Sequence, residues 1–346
     1  MYMYIRADGN DIIATGHIMR CIAIADAFKS KGEDTIFIIA DEYPKEIIEQ
    51  HGYKTICLNT VWNDMDTETD KMIELIEQRG IDKILIDSYF VTEDYLKKLR
   101  KYSAIIYMDD LNQMTYPADV IINYSSYDRM DYNKQYCKTN TQLWLGSMYT
   151  PLRQEFFDCE YTLREKANRI FITTGGTDKY NVALQISNRM IKDNNDLELY
   201  IIAGRYNKNI PELLKLQLEY PENIFVFQNA DNMAELMQQC DMAISAGGTT
   251  LFELCACGIP TVCFGFADNQ LELIRMLGEQ NVMINIGDIR EGMKEKIEEL
   301  VEETLALLKN KTLRGQYSSK MSAITDGKGA LRIADKILDY TKLKER

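Results

Sequence analysis

Arg6-Ala7-Asp8-Gly9-Asn10-Asp11-Ile12-Ile13-Ala14-Thr15-Gly16-His17-Ile18-Met19-Arg20 decides how this chain is read. An apolar run, Met1 to Ile5, stands before it and reads as a β-strand; after it Ile18, Ile22, Ile24, Ala25 and Phe28 recur at helical spacing. A strand that passes into a helix through a glycine-bearing loop is the opening step of an α/β sheet, and such loops form the crevice where ligands bind. His17 stands at the mouth of the helix, and the chain has only 2 histidines. Two readings of it are open here: a capping or packing imidazole, or a titratable group placed for chemistry.

Outward from that stretch the pattern repeats. Strands are expected at 2–6, 35–40, 54–58, 82–87, 104–108 and 119–123, with helical segments near 17–30, 43–51, 67–79 and 92–101. That alternation is the mark of a mostly parallel, doubly wound sheet. Asp87-Ser88-Tyr89 closes one strand and Asp109-Asp110 closes another. Each carboxylate alone reads as a cap or a turn residue; two at strand ends in the same half as His17 add weight to a site. Residues 124–165, rich in Tyr, Asp and Asn, break the alternation and read as the end of one domain and a linker. A second series then runs through strands at 169–174, 197–203, 223–227, 241–245, 260–264 and 282–286, and the stretch from about 290 to 345 is helical and charged. The expected architecture is α/β: two Rossmann-like doubly wound domains facing across a cleft. Residues 1–160 form the first, 161–330 the second, and 331–346 a C-terminal helix packing back on the first.

At 346 residues the chain has room for two domains, and its 46% hydrophobic and 27% charged content is that of a globular protein. No apolar run approaches a membrane span, and residues 1–30 lack a signal peptide's basic flank and apolar core. A cytoplasmic monomer is expected, with no membrane partner. The net charge of −13 argues against nucleic acid as a partner. The 8 cysteines form no C-x-x-C pair, Asp64-Met65-Asp66 reads as a solvated loop, and neither a metal nor another cofactor is expected.

Two glycine turns carry the second half. Thr173-Thr174-Gly175-Gly176-Thr177-Asp178 and Ser245-Ala246-Gly247-Gly248-Thr249-Thr250 each join a strand to a helix. Paired glycines let backbone N–H groups approach a ligand, and Thr249 and Thr250 add hydroxyl donors, which together suit a diphosphate. Neither turn is a P-loop or a dinucleotide fingerprint. Glu253 suits the paired hydroxyls of a ribose, or is a first-turn charge favoured by the helix dipole. Asn269 and Gln270 offer amides to a sugar. Gly204-Arg205 ends a strand, its arginine meeting phosphate or solvent.

These residues resemble a known family. Arg6-Ala7-Asp8 with Gly16-His17-Ile18-x-Arg20-Cys21, Asp87-Ser88-Tyr89, Met108-Asp109-Asp110 and Gly146-x-x-Tyr149-x-x-Leu152-Arg153 are similar to the hydrolases of pseudaminic acid biosynthesis. So are Gly175-Gly176-Thr177-Asp178, the 241–250 run with Glu253, Gly258-x-Pro260 and Asn269-Gln270. Those enzymes cleave UDP-2,4-diacetamido-2,4,6-trideoxy-β-L-altropyranose. The resemblance implies the type B glycosyltransferase fold, UDP held by the second domain, and metal-independent hydrolysis to UDP and free sugar. It makes His17 the general base that activates water, with Asp87 orienting the imidazole or the sugar. Arg6, Asp8, Gly16, Arg20, Tyr89, Tyr149, Arg153, Gly175, Gly176, Thr177, Gly204, Ser245, Ala246, Gly247, Gly248, Thr249, Thr250, Glu253, Asn269 and Gln270 are then substrate-binding candidates. One departure stands in the opening loop, where Ala14 occupies a place the family pattern gives to glycine. An inverting UDP-sugar glycosyltransferase and a non-catalytic nucleotide-sugar binding module are the alternatives.

Overall fold

A computed structural model describes residues 2–10, 12–13, 15–125, 132–192, 194–204, 207–228, 230 and 232–341. Ala14 and Arg205, both singled out above, lie outside the described residues. The chain divides into two compact units, one built from 1–154 with 328–346, the other from 155–327.

Among the described residues the first unit holds a sheet of seven strands: β1 (Tyr2–Ala7), β2 (Asp34–Ile39), β3 (Lys54–Cys57), β4 (Lys83–Asp87), β5 (Ala104–Met108), β6 (Val120–Asn123) and β7 (Gln142–Leu145). All pairings are parallel, in the order β3-β2-β1-β4-β5-β6-β7. Strands such as Lys-Ile-Leu-Ile-Asp are covered by helices on both faces, so their central positions are apolar whichever way they point. β7 was not expected from the sequence. It is a four-residue edge strand inside the polar stretch that reads as a linker.

Strand order reverses between β1 and β4, which lie side by side with Ala7 opposite Asp87. That is the switch point, where the helices following neighbouring strands leave toward opposite faces and open a crevice. The Gly16–Ser30 helix follows β1. The final helix, Gly329–Asp339, packs on it, held by Lys31 to Asp335 at 2.5 Å and by Lys83 Nζ donating to the Ile337 carbonyl at 2.9 Å.

The second unit holds β8 (Arg169–Thr173), β9 (Glu198–Ala203), β10 (Ile224–Gln228), β11 (Met242–Ala246), β12 (Thr261–Gly265) and β13 (Ile284–Asp288). They are parallel in the order β10-β9-β8-β11-β12-β13. Its switch point lies between β8 and β11, where Thr173 stands opposite Ser245. The two glycine turns therefore leave neighbouring strands at one place.

Candidate active site

In the first unit, three residues on one face of a helix converge on one carboxylate. Asp87 ends β4, is 1% exposed, and accepts from His17, Arg20 and Cys21, which are spaced i, i+3 and i+4. His17 Nδ1 lies 2.6 Å from Asp87 Oδ1. Arg20 Nε donates to Oδ2 at 2.6 Å, its Nη2 donates to Oδ1, and the Cys21 thiol reaches Oδ2 at 3.4 Å. Burial alone would raise the Asp87 carboxyl; the Arg20 guanidinium and then His17 outweigh it and hold the group well below the usual carboxylate range.

An ionised carboxylate only accepts, so the short contact to His17 Nδ1 places a proton on that nitrogen. The guanidinium Nη2, 3.0 Å from the same Nδ1, is a donor and has no lone pair to meet there once Nδ1 carries its hydrogen. In the neutral imidazole Nε2 then holds the lone pair, and among the described residues it has no hydrogen-bond partner. The imidazole is 5% exposed. The Tyr89 ring stands against it edge-on at 4.4 Å and is itself 39% exposed.

Arg20 reaches further, from Nη1 to Asp110 and to the Tyr124 hydroxyl, both at 2.7 Å. Asp109 does something else. Its Oδ1 accepts the backbone N–H groups of Leu111 and Asn112 at 3.1 and 2.8 Å, and its Oδ2 accepts the Tyr132 hydroxyl at 3.0 Å, which shapes the loop after β5.

Arg6 and Asp8 belong to a neighbouring buried network. Arg6, fully buried, is bidentate on Glu68 at 2.8 and 2.7 Å and donates to Asp8 at 2.6 Å. Glu68 also accepts from Tyr95 at 2.7 Å, and Asp8 accepts the Ala40 N–H at 2.9 Å. The network ties the ends of β1 and β2 to the turn before the Thr69–Arg79 helix. Sequence reading missed Glu68, although a signal existed. It falls on the stripe of buried Met65, Met72 and Ile76, and a carboxylate on an apolar stripe demands a buried partner. Tyr149 stacks on Trp144 at 6.4 Å, with Lys336 of the final helix 5.7 Å from its ring, and half-buried Arg153 lies just before the unit boundary.

In the second unit, Gly175, Gly176 and Thr177 are exposed, and Gly175 adopts a φ of 77°, which glycine alone accepts without strain. Asp178 turns inward and caps the Val182–Lys192 helix, accepting the N–H groups of Val182 and Ala183 at 2.8 and 3.2 Å. Gly204 supports the turn from below. A Cβ there would lie 2.6 Å from Gly176 Cα and 2.7 Å from its carbonyl oxygen, so backbone would have to move. Gly204→Ala is therefore expected to destabilise the fold by about 1–3 kcal/mol. Urea denaturation checks this; a variant as stable as the parent would remove Gly204 from that role.

Ser245 and Ala246 are buried, and the Ser245 hydroxyl donates to the Ala246 carbonyl at 3.0 Å. The Gly247 N–H is taken by the Phe264 carbonyl at 2.8 Å. Among the described residues the N–H groups of Gly248 and Thr249 have no backbone partner, and nothing lies within 4 Å of where a Gly248 side chain would stand. Thr249 is exposed, Thr250 and Glu253 are half-buried, and Asn269 is exposed in the first turn of the Asp268–Glu279 helix. Gln270 closes its own loop, its Oε1 accepting the Phe266 N–H at 3.0 Å. The structure thus gathers His17, Asp87, Arg20 and Tyr89 at one switch point, and the glycine turns at the other.

The glycosyltransferase family 28 C-terminal domain matches residues 169–333. Among similar sequences, a protein of Methanocaldococcus jannaschii described as uncharacterized is 26% identical over 275 residues, 76% of this chain and 55% of that one. The chain thus spans about half the length of that relative. The spore coat polysaccharide biosynthesis protein SpsG of Bacillus subtilis is 21% identical over 96% of each chain. The UDP-2,4-diacetamido-2,4,6-trideoxy-beta-L-altropyranose hydrolase of Campylobacter jejuni is 24% identical, over 76% of this chain and 92% of its own. Among solved structures, MurG of Acinetobacter baumannii superposes with a TM-score of 0.68 over 98% of this chain and 99% of its own, at 12% identity. The fold is that of the type B glycosyltransferases.

Proposed function

We propose that the protein hydrolyses a UDP-linked 2,4-diacetamido-2,4,6-trideoxy sugar to UDP and free sugar. The observation that carries this reading is the His17–Asp87 pair, which fixes a proton on Nδ1 and leaves the Nε2 lone pair unpartnered among the described residues. Nε2 accepts a proton from water as the water oxygen bonds to the anomeric carbon. The bond from that carbon to the UDP oxygen breaks and UDP leaves with the bond's electron pair, a diphosphate of the kind that the N–H groups of the glycine turns suit. Asp87 stabilises the imidazolium that forms. The relative bearing this enzyme name, similar over three quarters of the chain, supports the choice of substrate.

The match to a glycosyltransferase domain favours one second reading, transfer of the same sugar to an acceptor other than water. Incubation with the UDP-sugar and no acceptor separates the two. Steady release of UDP and free sugar is expected, and UDP release only after an acceptor is added would overturn hydrolysis. Product NMR identifies the sugar and the anomer first released.

The ribose is assigned to Glu253. Glu253→Ala is expected to weaken UDP binding by about 1–3 kcal/mol, the range for a hydrogen bond to a charged group. Titration calorimetry with UDP checks it, and unchanged affinity removes Glu253 from the nucleotide site.

A further inference from the structure

We propose that Asp110 is a positioning residue for the base: acting through Arg20, it decides which nitrogen of His17 carries the proton. The inference rests on the reading of His17 as the base. Arg20 lies between two carboxylates. Its Nε and Nη2 face Asp87, while Nη1 is held by Asp110 and Tyr124, both at 2.7 Å. Asp87 Oδ1 receives two donors, Arg20 Nη2 and His17 Nδ1, and those donors are themselves only 3.0 Å apart.

Two hydrogen-bond patterns therefore compete at His17 Nδ1. In one, Nδ1–H donates to Asp87 and Nε2 is free to accept a proton. In the other, Nη2–H donates to the bare Nδ1 and the imidazole hydrogen moves to Nε2, which can no longer act as a base. A guanidinium is a rigid planar fork, so fixing one edge sets the direction of the others. Asp110 fixes the Nη1 edge and draws part of the guanidinium's attraction away from Asp87, leaving Oδ1 available to the imidazole. Without that carboxylate the fork turns toward Asp87 Oδ1 and His17 Nδ1, and the second pattern gains. Asp110 also borders the Tyr89 phenol, whose ring packs on His17; burial first, and then this carboxylate, push that phenol up. Asp110 thus closes a circuit running from His17 through Asp87 and Arg20 to Tyr89.

The histidine nitrogen spectrum tests this without substrate. The chain has 2 histidines, and exposed His51 is identified by a His51→Gln control. In uniformly 15N-labelled parent protein at neutral pH, His17 is expected to show a protonated Nδ1 and a bare Nε2. In Asp110→Asn the two shifts are expected to converge or exchange. The kcat should fall roughly tenfold with KM within about twofold, because only molecules with a bare Nε2 react. Asp110→Glu should recover part of both. Unchanged His17 shifts in Asp110→Asn overturn the proposal whatever the activity. If Asp110→Asn does not fold, Asp110→Ser, which also takes the carboxylate away from Nη1, is read in the same way. A parent protein that turns over no UDP-sugar would sink the hydrolase reading while leaving the nitrogen shifts to decide this one.

Discussion

His17→Asn is expected to lower kcat on the order of a thousandfold, the middle of what a positioned base contributes, while UDP affinity stays within a few-fold. The split follows from where the groups lie. The imidazole is in the unit built from 1–154 and 328–346, whereas the glycine turns are in the unit built from 155–327. Asparagine is close in size to histidine and keeps a donor for Asp87, so the helix packing is preserved. Steady-state kinetics with a parallel UDP titration reads both quantities. Near-parental turnover in the variant would mean that another group activates the water.

Asp87→Asn is expected to damage both turnover and stability. A neutral amide presents either its oxygen or its NH₂ to Nδ1, and the second orientation selects the wrong imidazole form, so kcat should fall on the order of 10³–10⁴-fold. Stability should fall by about 3–5 kcal/mol, because Asp87 is 1% exposed and its loss strips Arg20 of its fully buried counter-charge. The dependence on pH gives the sign. The folded-state carboxyl of Asp87 is held far below its unfolded value of about 4. Its stabilisation is fully present above that unfolded value and is lost as pH falls from there through the depressed folded value. The stability gap between parent and variant, measured by urea denaturation, should therefore be wide at pH 7 and narrow below about pH 4. A gap that widens on acidification would contradict the ion-pair account.

Much of the architecture is legible in the order of apolar and polar residues alone. The strand expected at 104–108 is β5, and that expected at 2–6 is β1 short by one residue. Apolar runs of this length bounded by turns have few other uses in an alternating α/β chain. β7 escaped because four residues, Gln142 to Leu145, are too few to show a period, and it borrows its partner from β6 across a polar stretch. Strand order was also out of reach, since which strands become neighbours is settled by crossovers and not by local pattern.

The site divides in the same way. Asp87 and Tyr89 announced themselves at a strand end and His17 at the mouth of a helix, whereas Arg20 entered only through the family resemblance. Their mutual geometry did not show, because Asp87 lies 70 residues beyond His17 in the chain and Tyr124 lies 104 beyond Arg20. Arg6 and Asp8 show the converse. They stand in the opening motif, yet Glu68, 62 residues from Arg6, engages the guanidinium in a bidentate pair. Gly204 looked like a ligand-facing glycine, and its absent side chain is what the turn above it needs.

The final helix carries a consequence for how the protein is made. Gly329–Asp339 lies on the Gly16–Ser30 helix that bears His17, and everything from 155 to 327 is synthesised between the two. The unit begun first is thus the one finished last, while the other is a continuous stretch that can close as soon as it leaves the ribosome. Until residues 329–339 emerge, the helix bearing His17 waits with one side uncovered.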